Sequence, residues 1–276
     1  MAKFLLNGRP GEVLPLTDRA VHYGDGLFET IAVAGGEPLC WPQHIQRLAR
    51  GCGQLGMTPP PAALLRKEAE QLLPPSGRAV LKIVVSRGSG GRGYLPPGGT
   101  EPTRILGLYP WPDYPADWYR HGLACTVSAL RLGHNPALAG LKHLNRLEQV
   151  LARADVDGRG FSEGLMLDVD GNVIEGTMSN LFLLRGTHLI TPALDQCGVA
   201  GIIRHLVLER ALEWGLRPHI ASVRPEQLPE ADELFLCNSI LGVCPLTQLD
   251  QHSWPAGPIT RSIMDGLAAD GQVAGP

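Results

Sequence analysis

The sequence lacks the features that mark a nucleic-acid-binding protein or a membrane protein. Its net charge is −3 and its isoelectric point is near 6.3, whereas both kinds of partner select a clustered basic surface. No apolar run approaches the roughly 18 residues of a membrane span. The segment 1–8 is too short and too soon interrupted for a signal peptide. We therefore expect a cytoplasmic protein with no nucleic-acid or membrane partner.

The chain also lacks any CxxC pair. Its six cysteines, at positions 40, 52, 125, 197, 237 and 244, are spread through apolar segments. This distribution is typical of small core residues in a reducing compartment, not of a disulfide framework or a zinc site. The sequence therefore predicts no metal centre.

What is present is a series of short strands and helices joined by turns. The predicted strands are 3–6, 12–14, 27–34, 37–40, 79–86, 104–109, 122–130, 163–169, 172–175, 181–184, 188–191, 233–237 and 244–249. The predicted helices begin at Pro42 or span 62–73, 140–155, 201–214 and 259–268. Because most strands can pair with a sequence neighbour across a short turn, the pattern favours an α+β fold over a doubly wound sheet.

Residues 109–117 (YPWPDYPAD) cannot form a helix or a central strand, because prolines interrupt them repeatedly. We take 110–117 as a linker. The sequence then divides into a small α+β domain over 1–109 and a larger α+β domain over 118–276.

Residues 88–93 (GSGGRG) match the GxGxxG pattern and follow a predicted strand. A dinucleotide site needs a helix to open there, so that its N–H groups meet the pyrophosphate. The continuation Tyr94-Leu-Pro-Pro cannot start one. We therefore interpret the segment as a mobile glycine-rich loop that presents Arg87, Arg92 and Tyr94, and guanidinium groups suit a carboxylated ligand.

Residues 140–155 carry apolar side chains at helical spacing, at positions 144, 147, 150, 151 and 154, which predicts a helix with one buried face. Lys142 lies at the entrance of this helix, where the helix dipole disfavours a cation. A local conflict of this kind is typical of functional sites, although a lysine taken alone is more commonly a solvated surface residue.

Other groups in the sequence have chemistry that complements the amine of Lys142. Ile202 and Ile203 would lie in the first turn of the helix of residues 201–214, where their free N–H groups suit a phosphate. A glycine-capped amphipathic helix explains Gly201 equally well. Arg47 could clamp the same phosphate or be solvated.

Glu175 lies among strand formers, and a carboxylate on a partly buried face needs a cation or a proton. Asn238 and Ser239 end a strand and offer polar side chains there. A lysine, phosphate contacts and a carboxylate are the parts that pyridoxal 5′-phosphate requires. The lysine carries the cofactor aldehyde as a Schiff base, and the carboxylate keeps the ring nitrogen protonated.

Several segments resemble the fold-type IV pyridoxal phosphate enzymes, a group of D-amino acid aminotransferases, branched-chain aminotransferases and 4-amino-4-deoxychorismate lyases. The likeness runs from about Phe4 to Leu249. The segments that carry it are 18–30 (DRAVHYGDGLFET), 44–48 (HIQRL), 142–153 (KHLNRLEQVLAR) and 175–182 (EGTMSNLF). Within the group, 86–94 (SRGSGGRGY) and 141–147 (LKHLNRL) look most like the lyases.

The resemblance implies a two-domain enzyme with the cofactor between the domains, and a homodimer in which the glycine-rich loop completes the neighbouring site. It implies that Lys142 holds the cofactor and that Glu175 meets its ring nitrogen. The implied phosphate ligands are Arg47, the N–H groups of Ile202 and Ile203, and Ser239. The implied substrate contacts are Arg92, Tyr94 and Asn238, with Thr30 assisting catalysis. Several relatives have a threonine where Ile203 stands, so one phosphate contact here would be main chain only.

The implied reaction converts 4-amino-4-deoxychorismate into 4-aminobenzoate and pyruvate, in folate biosynthesis. Two alternatives remain open. One is an aminotransferase for D- or branched-chain amino acids, which would use the same cofactor-binding residues. The other is a non-catalytic metabolite-binding protein with a degenerate site.

Overall fold

The structure is a computed structural model that describes residues 3–11 and 13–275. The chain divides into two compact units. The first contains the described residues up to Pro112 together with Lys142–Asn145, and the second contains Asp113–Leu141 and the residues from Arg146 onward. Each unit combines helices with one sheet, which confirms the predicted mixture of helix and sheet.

The first unit is built on a six-stranded antiparallel sheet with the order β2-β1-β6-β5-β3-β4. Its strands are β1 (Lys3–Leu6), β2 (Arg9–Pro10), β3 (Gly26–Ala34), β4 (Glu37–Pro38), β5 (Arg78–Ser86) and β6 (Thr103–Pro110); its helices are α1 (Arg19–Tyr23), α2 (Trp41–Gln54) and α3 (Ala62–Glu70). Strand β3 alternates as expected for a two-sided strand. Leu27, Ile31 and Val33 are buried, while Phe28 and Thr30 on the other face are half-buried.

The second unit is built on a nine-stranded mixed sheet with the order β12-β11-β10-β13-β14-β7-β8-β9, with β15 added beside β14. Its strands are β7 (Leu123–Leu132), β8 (Glu163–Asp168), β9 (Val173–Gly176), β10 (Asn180–Arg185), β11 (His188–Pro192), β12 (Arg217–Ala221), β13 (Glu233–Asn238), β14 (Gly242–Leu249) and β15 (His252–Ser253); its helices are α4 (Ala116–His121), α5 (Leu147–Gly158), α6 (Ile202–Arg210) and α7 (Pro258–Ala269), with 3₁₀ turns at Ala211–Trp214 and Pro225–Glu230. Strands β8, β10 and β13 are apolar in their central residues and almost completely buried.

The cysteines are free thiols, and all except the half-buried Cys40 lie in the interior. Burial raises the pKa of Cys52 to about 11 and that of Cys244 to about 12. Such thiols are protonated and unreactive at neutral pH. This confirms the prediction that most cysteines are core residues.

The opening hairpin differs from its prediction. The return strand is β2, not residues 12–14, because Asn7 (φ 50°) and Gly8 (φ 78°) both adopt left-handed backbone conformations. A two-residue turn of this kind pairs the residues on either side of it directly, and Leu6 accordingly pairs with Arg9. Position 12 lies outside the described residues.

The helix predicted over 140–155 begins only at Leu147. Residues 142–144 are extended instead and pair with the edge of β3. The predicted buried stripe was also wrong, since Leu147, Val150 and Leu151 are 75%, 61% and 55% exposed. The buried face of α5 consists of Ala152 and Val156, and α5 packs with it against β7 and β8.

None of the helices among residues 3–11 and 13–275 combines the length and the apolar character needed to cross a bilayer.

We predict that Phe182→Ala lowers the free energy of unfolding by about 3–5 kcal/mol, the usual cost of truncating a buried aromatic side chain. Phe182 is completely buried and its ring stacks on Phe235 with a centroid distance of 4.9 Å. Leu212→Ala, at a site 75% exposed, is the control and should change stability by less than about 0.5 kcal/mol. Urea unfolding followed by circular dichroism measures both. Equal losses in the two variants would contradict this account of the core.

Candidate active site

Lys142 is fixed against β3 by main-chain hydrogen bonds. The Phe28 N–H donates to the Lys142 carbonyl at 2.9 Å, and the Leu144 N–H donates to the Gly26 carbonyl at 3.0 Å. The Lys142 Nζ lies 4.4 Å from the centroid of the Phe28 ring, a favourable cation–π geometry. The backbone of Lys142 is therefore held by sheet pairing, while its amine lies over an aromatic face.

Thr30 and Lys82 share this face of the sheet. Thr30 lies two residues beyond Phe28 on β3 and is directly opposite Lys82 on β5. The Lys82 Nζ lies 5.2 Å from the same Phe28 centroid. The structure thus brings the predicted pair Lys142 and Thr30 to one face and adds a second amine. Lys82 was not among the predicted site residues, although a lone lysine inside an apolar strand was the available signal.

Arg47 lies on α2 and is paired with a buried carboxylate. Its Nε donates to Glu29 Oε1 at 2.8 Å and its Nη2 donates to Glu29 Oε2 at 2.5 Å. Arg47 is 7% exposed and Glu29 is 1% exposed. A phosphate-binding role for Arg47 therefore has to use the edge of the guanidinium that does not face Glu29.

The third member of this cluster is His44. Burial lowers its pKa, and the charges of Arg47 and Lys142 act in the same direction. The ring is therefore neutral, and its Nδ1–H donates to Glu29 Oε2 at 2.6 Å. Burial alone would raise the pKa of Glu29, but Arg47 and His44 together lower it to about 2. Glu29 was not among the predicted site residues, although it is the only acid in β3.

Glu175 lies on β9 and is 4% exposed. Its Oε2 accepts the Val199 N–H at 2.9 Å and the Asn180 side-chain amide at 3.4 Å. Asn180 also donates to the Val199 carbonyl at 2.9 Å and accepts the Gly201 N–H at 3.1 Å. Asn180, which was not among the predicted site residues, thereby ties the carboxylate to the segment that leads into α6.

The glycine at position 201 makes room for the Asn180 side chain. A Cβ at position 201 would lie 2.1 Å from Asn180 Oδ1, which is far inside van der Waals contact. Gly201 is the N-cap of α6, and among the described residues no side chain caps this helix. The N–H groups of Ile202 and Ile203 have no acceptor within the helix, since they belong to its first turn.

Arg204 adds a positive charge to the same first turn of α6. It is 8% exposed, and its guanidinium donates to Thr191 Oγ1 at 3.1 Å and to the Pro192 carbonyl at 3.0 Å. Burial lowers its pKa, while the charges of Cys237 and Glu175 oppose that shift. The start of α6 therefore combines free N–H groups with a buried cation, which suits an anion.

Asn238 and Ser239 lie at the end of β13, as predicted. The Asn238 Oδ1 accepts the N–H groups of Ile240 and Leu241 at 2.8 and 2.7 Å, and its amide donates to the Met178 carbonyl at 3.1 Å. Most of the Asn238 side chain therefore holds the turn. Contact with a substrate would have to use its second amide N–H.

Arg92 and Tyr94 are exposed residues of the glycine-rich loop, and Tyr94 is 87% exposed. In the described chain the next regular element is strand β6. The loop therefore does not open a helix, as the continuation Tyr94-Leu-Pro-Pro predicted.

The sequence profile of the amino-transferase class IV family matches residues 26–249. The chain belongs to this family. It is 45% identical to 4-amino-4-deoxychorismate lyase from Pseudomonas aeruginosa, whose crystal structure superposes with a TM-score of 0.92 over 98% of this chain and 99% of that one. It is 37% identical to aminodeoxychorismate lyase from Vibrio harveyi, over 96% of this chain and 99% of that protein. It is 27% identical to D-alanine aminotransferase from Bacillus licheniformis, over 96% and 95% of the two chains.

These similarities confirm the resemblance found in the sequence, together with the fold class that it implied. The predicted site residues divide between the two units. Lys142, Thr30, Arg47, Arg92 and Tyr94 lie in the first unit, and Glu175, Ile202, Ile203, Asn238 and Ser239 lie in the second. The chemistry of this set fits pyridoxal phosphate: an amine, a buried carboxylate held by N–H donors, and an uncapped helix start for a phosphate.

We predict that Glu29→Gln lowers the free energy of unfolding by about 3–5 kcal/mol at pH 7, because it leaves Arg47 buried without its counter-charge. The pKa of Glu29 is lowered from 4.5 to about 2. Its contribution is therefore complete above pH 4.5 and is lost as the pH falls towards about 2. Denaturant titrations at several pH values should show the gap between wild type and variant closing over that interval.

Glu37→Gln is the matched control, since Glu37 is exposed and pairs with the surface residue Arg66. It should change stability by no more than about 1 kcal/mol. A Glu29→Gln deficit of the same size at pH 3 and at pH 7 would contradict the ionised, buried pair.

Proposed function

We propose that this protein is a pyridoxal phosphate-dependent lyase that converts 4-amino-4-deoxychorismate into 4-aminobenzoate and pyruvate. The placement of Lys142 carries the proposal: sheet pairing fixes its main chain while its amine lies over the Phe28 ring. The similarity to two lyases along nearly the whole chain supports this choice of reaction.

Pyridoxal phosphate, when bound, supplies an aldehyde for covalent attachment and a ring that accepts electrons. Lys142 would hold the aldehyde. The phosphate would be held by the N–H groups of Ile202 and Ile203, by Arg47 and by Ser239. Glu175 would face the ring nitrogen, where a buried carboxylate compensates a positive charge.

Lys142 also has the role of base. Its amine would remove the proton at C4 of the substrate, and the enolpyruvyl group would leave from C3 with the electrons of the C3–O bond and be released as pyruvate. Thr30 lies on the same sheet face, where its hydroxyl can orient Lys142 or deliver a proton to the leaving group. Arg92, Tyr94 and Asn238 would bind the substrate, with the Arg92 guanidinium on a carboxylate.

An aminotransferase for D- or branched-chain amino acids is the second candidate, because the chain is also similar to a D-alanine aminotransferase. That reaction needs a keto-acid acceptor, whereas the lyase reaction does not. A non-catalytic binding protein is disfavoured by the complete set of Lys142, Arg47 and Glu175.

The free, mostly buried thiols suit a reducing compartment, and we place the protein in the cytoplasm.

We predict that the purified protein with pyridoxal phosphate releases 4-aminobenzoate and pyruvate from aminodeoxychorismate without a keto acid. Lys142→Ala should reduce the rate by at least roughly 10²- to 10⁴-fold, the contribution of a positioned base alone. Borohydride reduction followed by mass spectrometry should locate a cofactor adduct at residue 142 in the wild type only. Turnover that requires a keto acid would favour the aminotransferase, and absence of an adduct would favour the binding protein.

We also propose a homodimer. The exposed apolar residues Leu147, Val150 and Leu151 form one stripe of α5, and an unburied stripe of this kind is typical of a surface that another protein covers. Symmetric pairing of identical chains is the most common way to cover it.

Sedimentation equilibrium should therefore give about twice the chain mass of 29.6 kDa. Leu151→Asp should shift the protein towards monomer, because it places a charge in the stripe that the second chain would cover. Leu212→Asp, on an exposed apolar residue elsewhere, should not. A wild-type protein that sediments as a monomer would contradict the dimer.

A further inference from the structure

The side chain of Arg19 reaches from α1 to the main chain of the glycine-rich loop. Arg19 is 3% exposed. Its Nη1 donates to the Gly93 carbonyl at 3.0 Å and its Nη2 donates to the Tyr94 carbonyl at 3.2 Å. Its Nε donates to Asp25 Oδ2 at 2.7 Å. A buried arginine with all three nitrogens engaged by its own chain is a fixed anchor, not a ligand contact.

Tyr23 contacts the same part of the loop. Its hydroxyl accepts the Gly93 N–H at 3.1 Å, and the Arg19 guanidinium lies 4.6 Å from its ring centroid. Its ring meets the Tyr94 ring edge-on at 5.6 Å. Gly93 has a φ of 100°, a conformation that favours glycine. The N–H and the carbonyl of Gly93 and the carbonyl of Tyr94 are thus all fixed.

The anchor is itself rigid. Asp25 accepts hydrogen bonds from Arg87 at 2.7 and 3.1 Å as well as from Arg19. Burial raises the pKa of Asp25, but the bonds from Arg87 and Arg19 outweigh it and lower the pKa overall. The neighbouring Asp18 accepts the hydroxyls of Ser86 and Thr103, both at 2.7 Å. These two residues are the ends of β5 and β6, so the base of the loop is tied to the start of α1.

The side chains carried by this fixed main chain remain outside. Arg92 is exposed, and Tyr94 is 87% exposed. We expected a mobile loop from its glycine content, but the contacts of Arg19 fix it at positions 93 and 94. The main chain of the loop is therefore fixed, while the side chains of Arg92 and Tyr94 are exposed. A selective binding surface requires this arrangement, whereas an adjustable one does not have it.

We propose that Arg19, assisted by Tyr23, is a positioning residue that sets where Arg92 and Tyr94 are presented to the substrate carboxylate. This inference rests on the proposed lyase function for the identity of the ligand, but the anchoring itself does not. A guanidinium is effective in this role because it is always charged and its planar fork spans two successive carbonyls.

Two variants test the anchor in the full-length holoenzyme. Arg19→Met removes the donors but leaves Asp25 paired with Arg87. Tyr23→Phe removes only the acceptor of the Gly93 N–H and keeps the ring. Arg66→Met is the control, because Arg66 is a surface arginine of the same unit that pairs with Glu37 and Glu70.

The first measurement is independent of activity. Trypsin cuts after arginine, so the rate of cleavage between Arg92 and Gly93, followed by mass spectrometry, reports how firmly the loop is held. Arg19→Met should accelerate this cleavage by roughly tenfold or more and Tyr23→Phe by a few fold, since buried bonds from a charged donor are stronger than neutral ones. Arg66→Met should match the wild type.

The second measurement distinguishes a role in positioning Arg92 and Tyr94 from a purely structural role of Arg19. Arg19→Met should raise the KM for aminodeoxychorismate roughly ten- to a hundredfold, while kcat changes by less than about threefold. The dissociation constant of pyridoxal phosphate should be unchanged. Unaltered cleavage in Arg19→Met overturns the anchor, and weaker cofactor binding or an unaltered KM overturns the positioning role. If the wild type lacks lyase activity, the proposed function fails, while the cleavage rates still decide the anchor.

Discussion

The pairing of β3 with residues 142–144 is the constraint on which the first unit's part of the site depends. Two main-chain hydrogen bonds place Lys142 beside Phe28, and strand alternation then sends successive side chains of β3 to opposite faces. Phe28 and Thr30 join the amine, while Glu29 faces α2 and binds Arg47 and His44. A slip of one residue would exchange the two faces. The register of one strand therefore fixes both the Lys142 amine and the ion pair beneath it.

Electrostatic compensation is handled differently in the second unit. There the carboxylate of Glu175 is held by the Val199 N–H and by Asn180, and the start of α6 follows directly. Asn180 contacts both the carboxylate and the N-cap Gly201. Its side chain thus links the group that would face a ring nitrogen to the N–H groups that would face a phosphate. The side-chain amide of Asn180 therefore fixes the position of Glu175 relative to the start of α6.

Local patterns predicted the elements whose partners are close in the sequence. Strands such as β5 and β10 follow from their apolar runs, and α2 follows from Pro42 and its apolar face. The start of α5 could not be predicted, because residues 142–144 pair with β3, more than a hundred positions earlier. Glu29 could be recognised as an acid in an apolar strand, but the strand itself does not say that Arg47 is its partner. Asn180 could not be recognised either, because its strand does not show which residues its side chain contacts.

The GxGxxG segment shows why a pattern without its context misleads. In a dinucleotide site the glycines make room for phosphates, whereas here they make room for other parts of the protein's own chain. Gly88 has a φ of 91°, and a Cβ there would lie 2.1 Å from the Glu101 carbonyl oxygen. A Cβ at Gly90 would lie 2.6 Å from Pro97 Cγ. Gly93 carries the carbonyl that Arg19 binds. The glycines permit a tightly folded loop to be fastened by its backbone, which leaves the intervening Arg92 side chain at the surface.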